Sequence, residues 1–299
     1  MSNTLISLSD NMVQTVAAAG PAVVSVYGRR RMPASGIVWA SGDGGGIIVT
    51  AHHVLRSSEN LSVGLADGHQ LAATLVGRDP STDLAILRVD ATDLTPAGWH
   101  DTPQVGQLVL ALGRPGRDIQ ATLGIVSAIG ERWRSPAGGQ IEQYLQTDVL
   151  MYPGFSGGPL VAANGQFLGL NTSALLRGVS LTIPTSTVRR VANTLLTHGR
   201  VKKGYLGVST QPARLPQPLQ ESLNQKTGLL ISSVEAGSPA EQAGLVLGDT
   251  IVNLDGQPIR SHDDLLSLLS GDRVGQKLPI GIVRGGELRT LNVTLSDRG

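Results

Sequence analysis

Cysteine is absent from this 299-residue chain. That excludes a disulfide framework, a cysteine nucleophile and every thiolate metal site. Charge is scarce as well. Charged residues make up 16% of the chain, below the usual quarter. Lys and Arg total 24 against 23 Asp and Glu, a formal net charge of +1. Binding to nucleic acid or a membrane surface through bulk charge is therefore not expected. Aromatics amount to 2 Phe, 3 Trp and 4 Tyr. Long apolar runs are missing too, so no membrane-spanning helix is predicted. Residues 1–28 carry no Lys or Arg, and Asp10, Asn11 and Gln14 interrupt any apolar stretch, so no secretory leader is read. The chain as written is expected in the cytoplasm, or in the periplasm or another extracytoplasmic space if a leader has been removed.

Glycine is plentiful, at 38 residues, and Val, Ile, Leu and Ala suffice to build cores. Leu5, Leu8, Met12, Val13 and Val16 recur at helical spacing and predict a helix over residues 5–19, ended by Gly20-Pro21. Short runs rich in Val, Ile and Leu follow to about residue 183, among them Gly46–Thr50, Leu84–Val89, Gln120–Ile129, Pro159–Ala162 and Gln166–Thr172. Glycine-containing turns separate them, and Asn164-Gly165 is a hairpin signal. This reads as antiparallel β barrels or sandwiches. A helix is predicted after Pro184, with Thr185 or Ser186 as N-cap and Gly199 past its end. Residues 200–204 read as a linker, and residues 205–299 as a small α+β domain, which leaves 1–199 as the first domain.

The sharpest local feature is Gly154-Phe155-Ser156-Gly157-Gly158-Pro159-Leu160. Glycines around a serine let backbone N–H groups turn toward a forming oxyanion and leave the hydroxyl approachable. A glycine-rich hairpin corner is the bland alternative. The heptad also contains G-x-S-x-G, but the elbow of α/β-hydrolases needs a helix directly after the serine, and here a strand follows. Upstream, Ile47–Ala51 runs into His52-His53, and Thr-Ala-x-His singles out His53. Asp83 heads the apolar run Leu84–Val89, thirty residues after His53 and seventy-three before Ser156. An aspartate there is usually a turn residue, but it can also hold an imidazole in one tautomer. The order His, Asp, Ser is that of the chymotrypsin-type triad.

On these residues, together with Ala34–Val38, Gln146-Thr147-Asp148 and Leu168–Thr172, the chain resembles the HtrA/Deg family of trypsin-like serine proteases. The resemblance runs from about residue 12 to the C-terminus. It implies a mainly β fold, a chymotrypsin-like double β-barrel followed by a small α+β PDZ domain. Tyr205-Leu206-Gly207-Val208 resembles the carboxylate-binding loop of a PDZ domain, and Gly237–Leu245 with Gly248–Ile251 a further PDZ stretch. Leu265, Leu268 and Leu269 are expected to line the peptide pocket or, equally, to be core leucines.

The implied activity is an ATP-independent serine endopeptidase of protein quality control. His53 would be the base, Asp83 its orienter and Ser156 the nucleophile. The loop Gly154, Phe155 and Ser156 would form the oxyanion hole, each N–H donor contributing about 3 kcal/mol. Leu150 would form the floor of the primary pocket, with Asn171, Thr172 and Ser173 beside it. An apolar floor predicts cleavage after small or medium apolar residues. Phe155 departs from the family's usual Asn. Expected partners are unfolded or damaged proteins and C-terminal peptides, in a homotrimer, with no metal, cofactor, nucleic acid or membrane insertion. A non-proteolytic chaperone or peptide-binding adaptor is the competing class. Activity is expected to fall below about pH 6 as the base is protonated.

Overall fold

The computed structural model describes residues 2–29, 32–176, 178–202, 204–269 and 273–297. Lys203 of the expected linker lies outside them. The chain divides into two units, Met1–Val201 and Lys202–Gly299.

In the first unit the N-terminal helix α1 spans Ser2–Ala19, starting earlier than predicted. Six strands follow: β1 Val23–Tyr27, β2 Ala34–Ala40, β3 Gly46–Ala51, β4 Leu61–Gly64, β5 Gln70–Asp79 and β6 Leu84–Val89. They close into an antiparallel barrel in the order β1-β2-β3-β6-β5-β4, with β4 returning to β1. Strand β3 is buried on both faces, which explains its unbroken apolar sequence rather than an alternating one.

A second closed barrel follows. Its strands are β7 Leu108–Gly113, β8 Gln120–Gly130, β11 Tyr144–Thr147, β12 Pro159–Ala162, β13 Phe167–Thr172 and β14 Leu181–Pro184. Their order is β11-β14-β13-β12-β7-β8. A two-stranded ribbon, β9 Trp133–Arg134 and β10 Gln140–Ile141, is inserted before β11. Val109, Ala111, Val126, Leu145, Val149, Phe155, Leu160, Ala162 and Leu168 form one buried core here, while Leu110, Leu112 and Leu170 join the core shared with the first barrel. The Asn164-Gly165 signal is a tight turn, with Gly165 at φ +83° and its N–H on the Ala162 carbonyl.

Helix α2, Thr185–His198, buries Val188, Val191, Ala192 and Leu195 against the first unit's core. It ends as predicted at Gly199, left-handed at φ 72°, whose N–H bonds to the Leu195 carbonyl. Its start differs. The N-cap is Pro184, whose side chain carries no acceptor, and Thr185 and Ser186 are instead the first two helical residues, with the Thr185 hydroxyl on the Phe167 carbonyl at 3.2 Å.

The second unit holds a sheet in the order β16-β17-β18-β20-β21, built from Val208–Arg214, Thr227–Val234, Thr250–Leu254, Lys277–Arg284 and Glu287–Thr294. Strand β19, Gln257–Pro258, pairs with β18, and Gly204–Tyr205 (β15) pairs with Ser296–Asp297 (β22). Helices α3 Gln217–Leu223, α4 Pro239–Gln242 and α5 His262–Leu268 complete it. Sequence periodicity missed β16 and α3, the first because Pro212 interrupts it, the second because none of its residues is buried. Helix α5 starts in a capping box between Ser261 and Asp264.

Candidate active site

The acid–base half of the site is set by two turns of the first barrel. His53 sits in a 3-10 turn, His52–Val54, that leaves the end of β3. Asp83 closes a turn at the start of β6 and is left-handed, φ 59°, a conformation that Asp tolerates better than most residues. Buried Asp79 builds that turn. Its carboxylate accepts from Ser81 N, Ser81 Oγ and Thr82 Oγ1. The two turns then lock together. His52 N donates to the Asp83 carbonyl at 2.9 Å, and His53 N donates to Asp83 Oδ1 at 2.8 Å.

His53 Nδ1 lies 2.8 Å from Asp83 Oδ2. An ionised carboxylate only accepts, so Nδ1 carries the proton and Nε2 keeps its lone pair. Thr172 Oγ1, from β13 of the other barrel, donates to the same Oδ2 at 2.5 Å. Asp83 is buried while His53 keeps 28% of its side-chain surface, so the acid is shielded and the base is reachable. The neighbouring His52 differs. Burial lowers its pKa, Asp83 opposes that, and the charges of Arg78 and His53 add to it.

Ser156 lies in the turn before β12, nearly buried. Gly154 and Gly157 flank it at φ +95° and +89°, so both positions need glycine. Space demands it as well. A Cβ on Gly157 would stand 2.1 Å from the Ser35 carbonyl oxygen, and one on Gly154 2.4 Å from Pro115 Cβ. The N–H groups of Phe155, Gly157 and Gly158 are taken by the carbonyls of Tyr152, Asn171 and Phe155. Those of Gly154 and Ser156 have no partner among the described residues, which leaves two donors beside the serine. Phe155 turns inward, fully buried, edge-on to Tyr152 at 5.7 Å and against Gly113. The Ser156 hydroxyl pairs with Ser173 Oγ at 3.3 Å rather than with His53.

The four residues expected around the primary pocket part ways. Leu150 is 58% exposed and Ser173 is exposed. The Thr172 hydroxyl belongs to Asp83. Asn171 is fully buried and ties the barrel together, donating to the Pro159 carbonyl at 2.8 Å and accepting from Thr182 Oγ1 at 2.9 Å. Residues that sequence reasoning missed include Ser81 and Ser135. Ser135 Oγ donates to the Ser81 carbonyl at 2.5 Å, which docks the loop after β9 on the turn that carries Asp83.

In the second unit Gly207 is left-handed at φ +82°, and a Cβ there would meet Ser238 Cβ at 2.2 Å. The loop is held by Ala240 N on the Leu206 carbonyl, Glu235 N on the Gly207 carbonyl and the Tyr205 hydroxyl on Glu235. Leu206 and Leu265 are core residues, and Leu268 and Leu269 are partly buried at its margin. Val208 opens the edge strand β16. Thr210 lies opposite Ile231, whose N–H and carbonyl both bond on its other side, to Asp249 O and Gly248 N. In an antiparallel pair Thr210 must then direct its own N–H and carbonyl to the open edge. Pro212, two residues on, lacks an N–H, which only such an edge tolerates. His262 Nε2, which the sequence reading did not single out, already holds the Thr210 carbonyl at 2.9 Å. Among the described residues no cluster of three or more His, Asp or Glu could hold a metal ion.

Two closed six-stranded barrels bearing a His–Asp pair and a glycine-flanked serine, followed by a sheet with an open edge beside a helix, define a class that the comparisons with known proteins share. Residues 34–170 match the trypsin-like peptidase domain and residues 204–295 the PDZ domain. The chain is 38% identical over 258 residues to a probable periplasmic serine endoprotease, DegP-like, of Pseudomonas fulva, covering 84% of this chain and 53% of the relative. It superposes on the crystal structure of the serine endoprotease from Yersinia pestis with a TM-score of 0.79 at 32% identity, covering 96% of this chain and 98% of that one. The HtrA-type protease AlgW with tripeptide gives 0.76 at 31% identity, covering 96% and 97%. The chain belongs to the HtrA/Deg family of trypsin-like serine proteases with one PDZ domain. It spans about half the length of the curated relatives it matches. No helix among the described residues is long and apolar enough to cross a membrane.

Proposed function

We propose that the chain is an ATP-independent serine endopeptidase acting on unfolded or damaged proteins. The observation that carries this is the His53–Asp83 pair, fixed at Nδ1 with Nε2 left as a base, in the unit where Ser156 stands beside two unpartnered N–H groups. Ser156 Oγ turns from Ser173 to His53 Nε2, loses its proton to it and attacks a peptide carbonyl. Asp83 stabilises the imidazolium, and Gly154 N–H and Ser156 N–H receive the oxyanion. His53 then protonates the leaving amine, and water repeats the steps on the acyl-enzyme. No step consumes a nucleotide or needs a metal.

Cleavage after small or medium apolar residues follows from an apolar surface at Leu150 and Met151. Asp148, the acid nearest in sequence, already accepts from Ile125 N at 2.6 Å. The open edge of β16, the loop Tyr205–Val208 and the face of α5 carrying Leu268 and Leu269 would take an apolar C-terminal peptide as an added strand. The similarity to periplasmic DegP-like endoproteases supports a periplasmic location. The exposed Leu5, Ile6, Leu8 and Val13 of α1 support assembly into a homotrimer through that helix.

The pairing of Ser156 with Ser173 favours a second reading, a non-proteolytic peptide-binding adaptor. Casein digestion separates the two. The protein is expected to degrade casein and Ser156→Ala to leave it intact. Equal degradation by both would exclude Ser156 as nucleophile, and none by either would favour the adaptor. Faster turnover of peptides cleaved after Arg than of those cleaved after Val or Ala would overturn the specificity.

A further inference from the structure

Ser35 lies on β2 of the first barrel, yet two of its four hydrogen bonds go to the loop of the second barrel that carries Ser156. Its hydroxyl donates to the Gly154 carbonyl at 2.7 Å and accepts from Arg114 N at 2.8 Å. Its own N–H donates to the Ser156 carbonyl at 3.1 Å. Its carbonyl accepts from Thr50 Oγ1 at 2.7 Å, and Thr50 is on β3, three residues before His53. Every polar atom of Ser35 is thus in use, and the residue is fully buried. On the same site Ser35 grips the peptide groups on both sides of the Phe155–Ser156 peptide.

We infer that Ser35 is a positioning residue for the oxyanion hole, holding the Gly154 and Ser156 carbonyls so that the N–H groups of the same two residues face a reacting carbonyl. The physical need is plain. Gly154 has no Cβ and sits at positive φ, so nothing in its own structure fixes the direction of its N–H. A hydroxyl donor in a dry site fixes the Gly154–Phe155 peptide plane, from which the preceding plane, carrying the Gly154 N–H, is hinged at Gly154. Arg114 steadies the hydroxyl in turn. Its buried guanidinium donates to the carbonyls of Gly20, Val23 and Arg117, which fixes the backbone N–H that Ser35 accepts. Thr50 joins this clamp to the strand that leads to the base. The inference rests on the serine-protease reading above and adds a residue that does not touch substrate.

The test compares the protein with Ser35→Ala, using a peptide substrate ending in Val, a boronic acid of the same sequence and the uncleaved product peptide. The boronic acid becomes tetrahedral on Ser156 and uses the oxyanion hole, whereas the product peptide does not. Loss of one buried charge-facing alignment is expected to lower kcat and boronate affinity together by about 10- to 100-fold, with KM and product affinity within about twofold. Ser35→Thr keeps the hydroxyl and is expected to recover part of kcat. Unchanged kcat and boronate affinity in folded Ser35→Ala, or a rise in KM alone, would overturn the inference. Should Ser35→Ala not fold, Thr50→Val reads the same clamp one bond back. A several-fold fall in kcat at constant KM supports it, and an unchanged kcat overturns it. If the unmutated protein itself neither cleaves the peptide nor binds the boronic acid, the serine-protease reading fails, a result distinct from a clamp that makes no difference.

Discussion

The two halves of the site are held in different ways. His53 and Asp83 belong to one barrel and are already joined, Nδ1 to Oδ2 at 2.8 Å, with backbone N–H groups completing the tie. Ser156 belongs to the other barrel and rests on Ser173. Each half is secured by a hydroxyl from the opposite barrel, Thr172 on Asp83 and Ser35 on the Ser156 loop. The difference teaches where an activating change must act. The His53–Asp83 half is already tied together, so on the proposed mechanism the change falls on the Ser156 hydroxyl, which has to leave Ser173.

A second contrast is between the buried carboxylates of the two units. Asp83 is surrounded by neutral donors and an imidazole. Asp249, its side chain fully buried, is gripped by the Arg284 guanidinium at 2.7 Å through both oxygens. Burial pushes the Asp249 carboxyl up, but the Arg284 and Val246 hydrogen bonds outweigh it and hold the carboxyl below its ordinary range. The first acid faces an imidazole, a backbone N–H and a hydroxyl, the second a permanent cation.

The largest expected effect is at Asp83. Asp83→Asn turns the wrong group toward Nδ1 and is expected to lower kcat by about 10⁴ with the fold intact, read by peptide hydrolysis and circular dichroism. An unchanged kcat would erase the distinction between a prepared and an unprepared half. Thr172→Val removes the cross-barrel hydroxyl while leaving the His53 tie, and a fall of about 10-fold in kcat is expected. The Asp249 pair makes a pH prediction. A depressed carboxyl stabilises the fold fully above its ordinary pKa, and that contribution is lost as pH falls through the folded value. Thermal unfolding followed from pH 6 to pH 3 is therefore expected to show a falling midpoint, and Asp249→Asn to flatten that fall while lowering the midpoint at neutral pH. The smallest effect is at His262. Its removal in His262→Ala frees the Thr210 carbonyl, and affinity for an apolar C-terminal peptide is expected to rise about threefold by calorimetry. A loss of affinity would mean the ring contributes to binding instead of covering the edge.

Strands with strong local signals were legible in the sequence, such as Leu84–Val89 and Pro159–Ala162, whose bounds coincide with the structure. The choice of His53 over His52, and the candidacy of Asp83 and Ser156, rested on short motifs whose glycines and turns have local causes. What was not legible depends on partners far along the chain. Thr185 looks like an N-cap, but it is the first helical residue and its hydroxyl is on the Phe167 carbonyl. Asn171 and Thr172 sit beside the pocket in sequence, but their side chains answer to Pro159, Thr182 and Asp83. Ser35 lies in an ordinary strand, and only the meeting of two barrels, 119 residues apart at Gly154, gives it a task. His262 gains its meaning from an edge created by the pairing of Thr210 with Ile231.

Ser156 is the proposed nucleophile, served by His53. A fluorophosphonate probe reacts with such a serine and forms a covalent phosphonyl ester on its Oγ as fluoride leaves. Peptide mapping by mass spectrometry is expected to find the adduct on Ser156, with the labelling rate greatly reduced in His53→Ala. Labelling on another residue, or equal labelling of Ser156 with and without His53, would contradict the account.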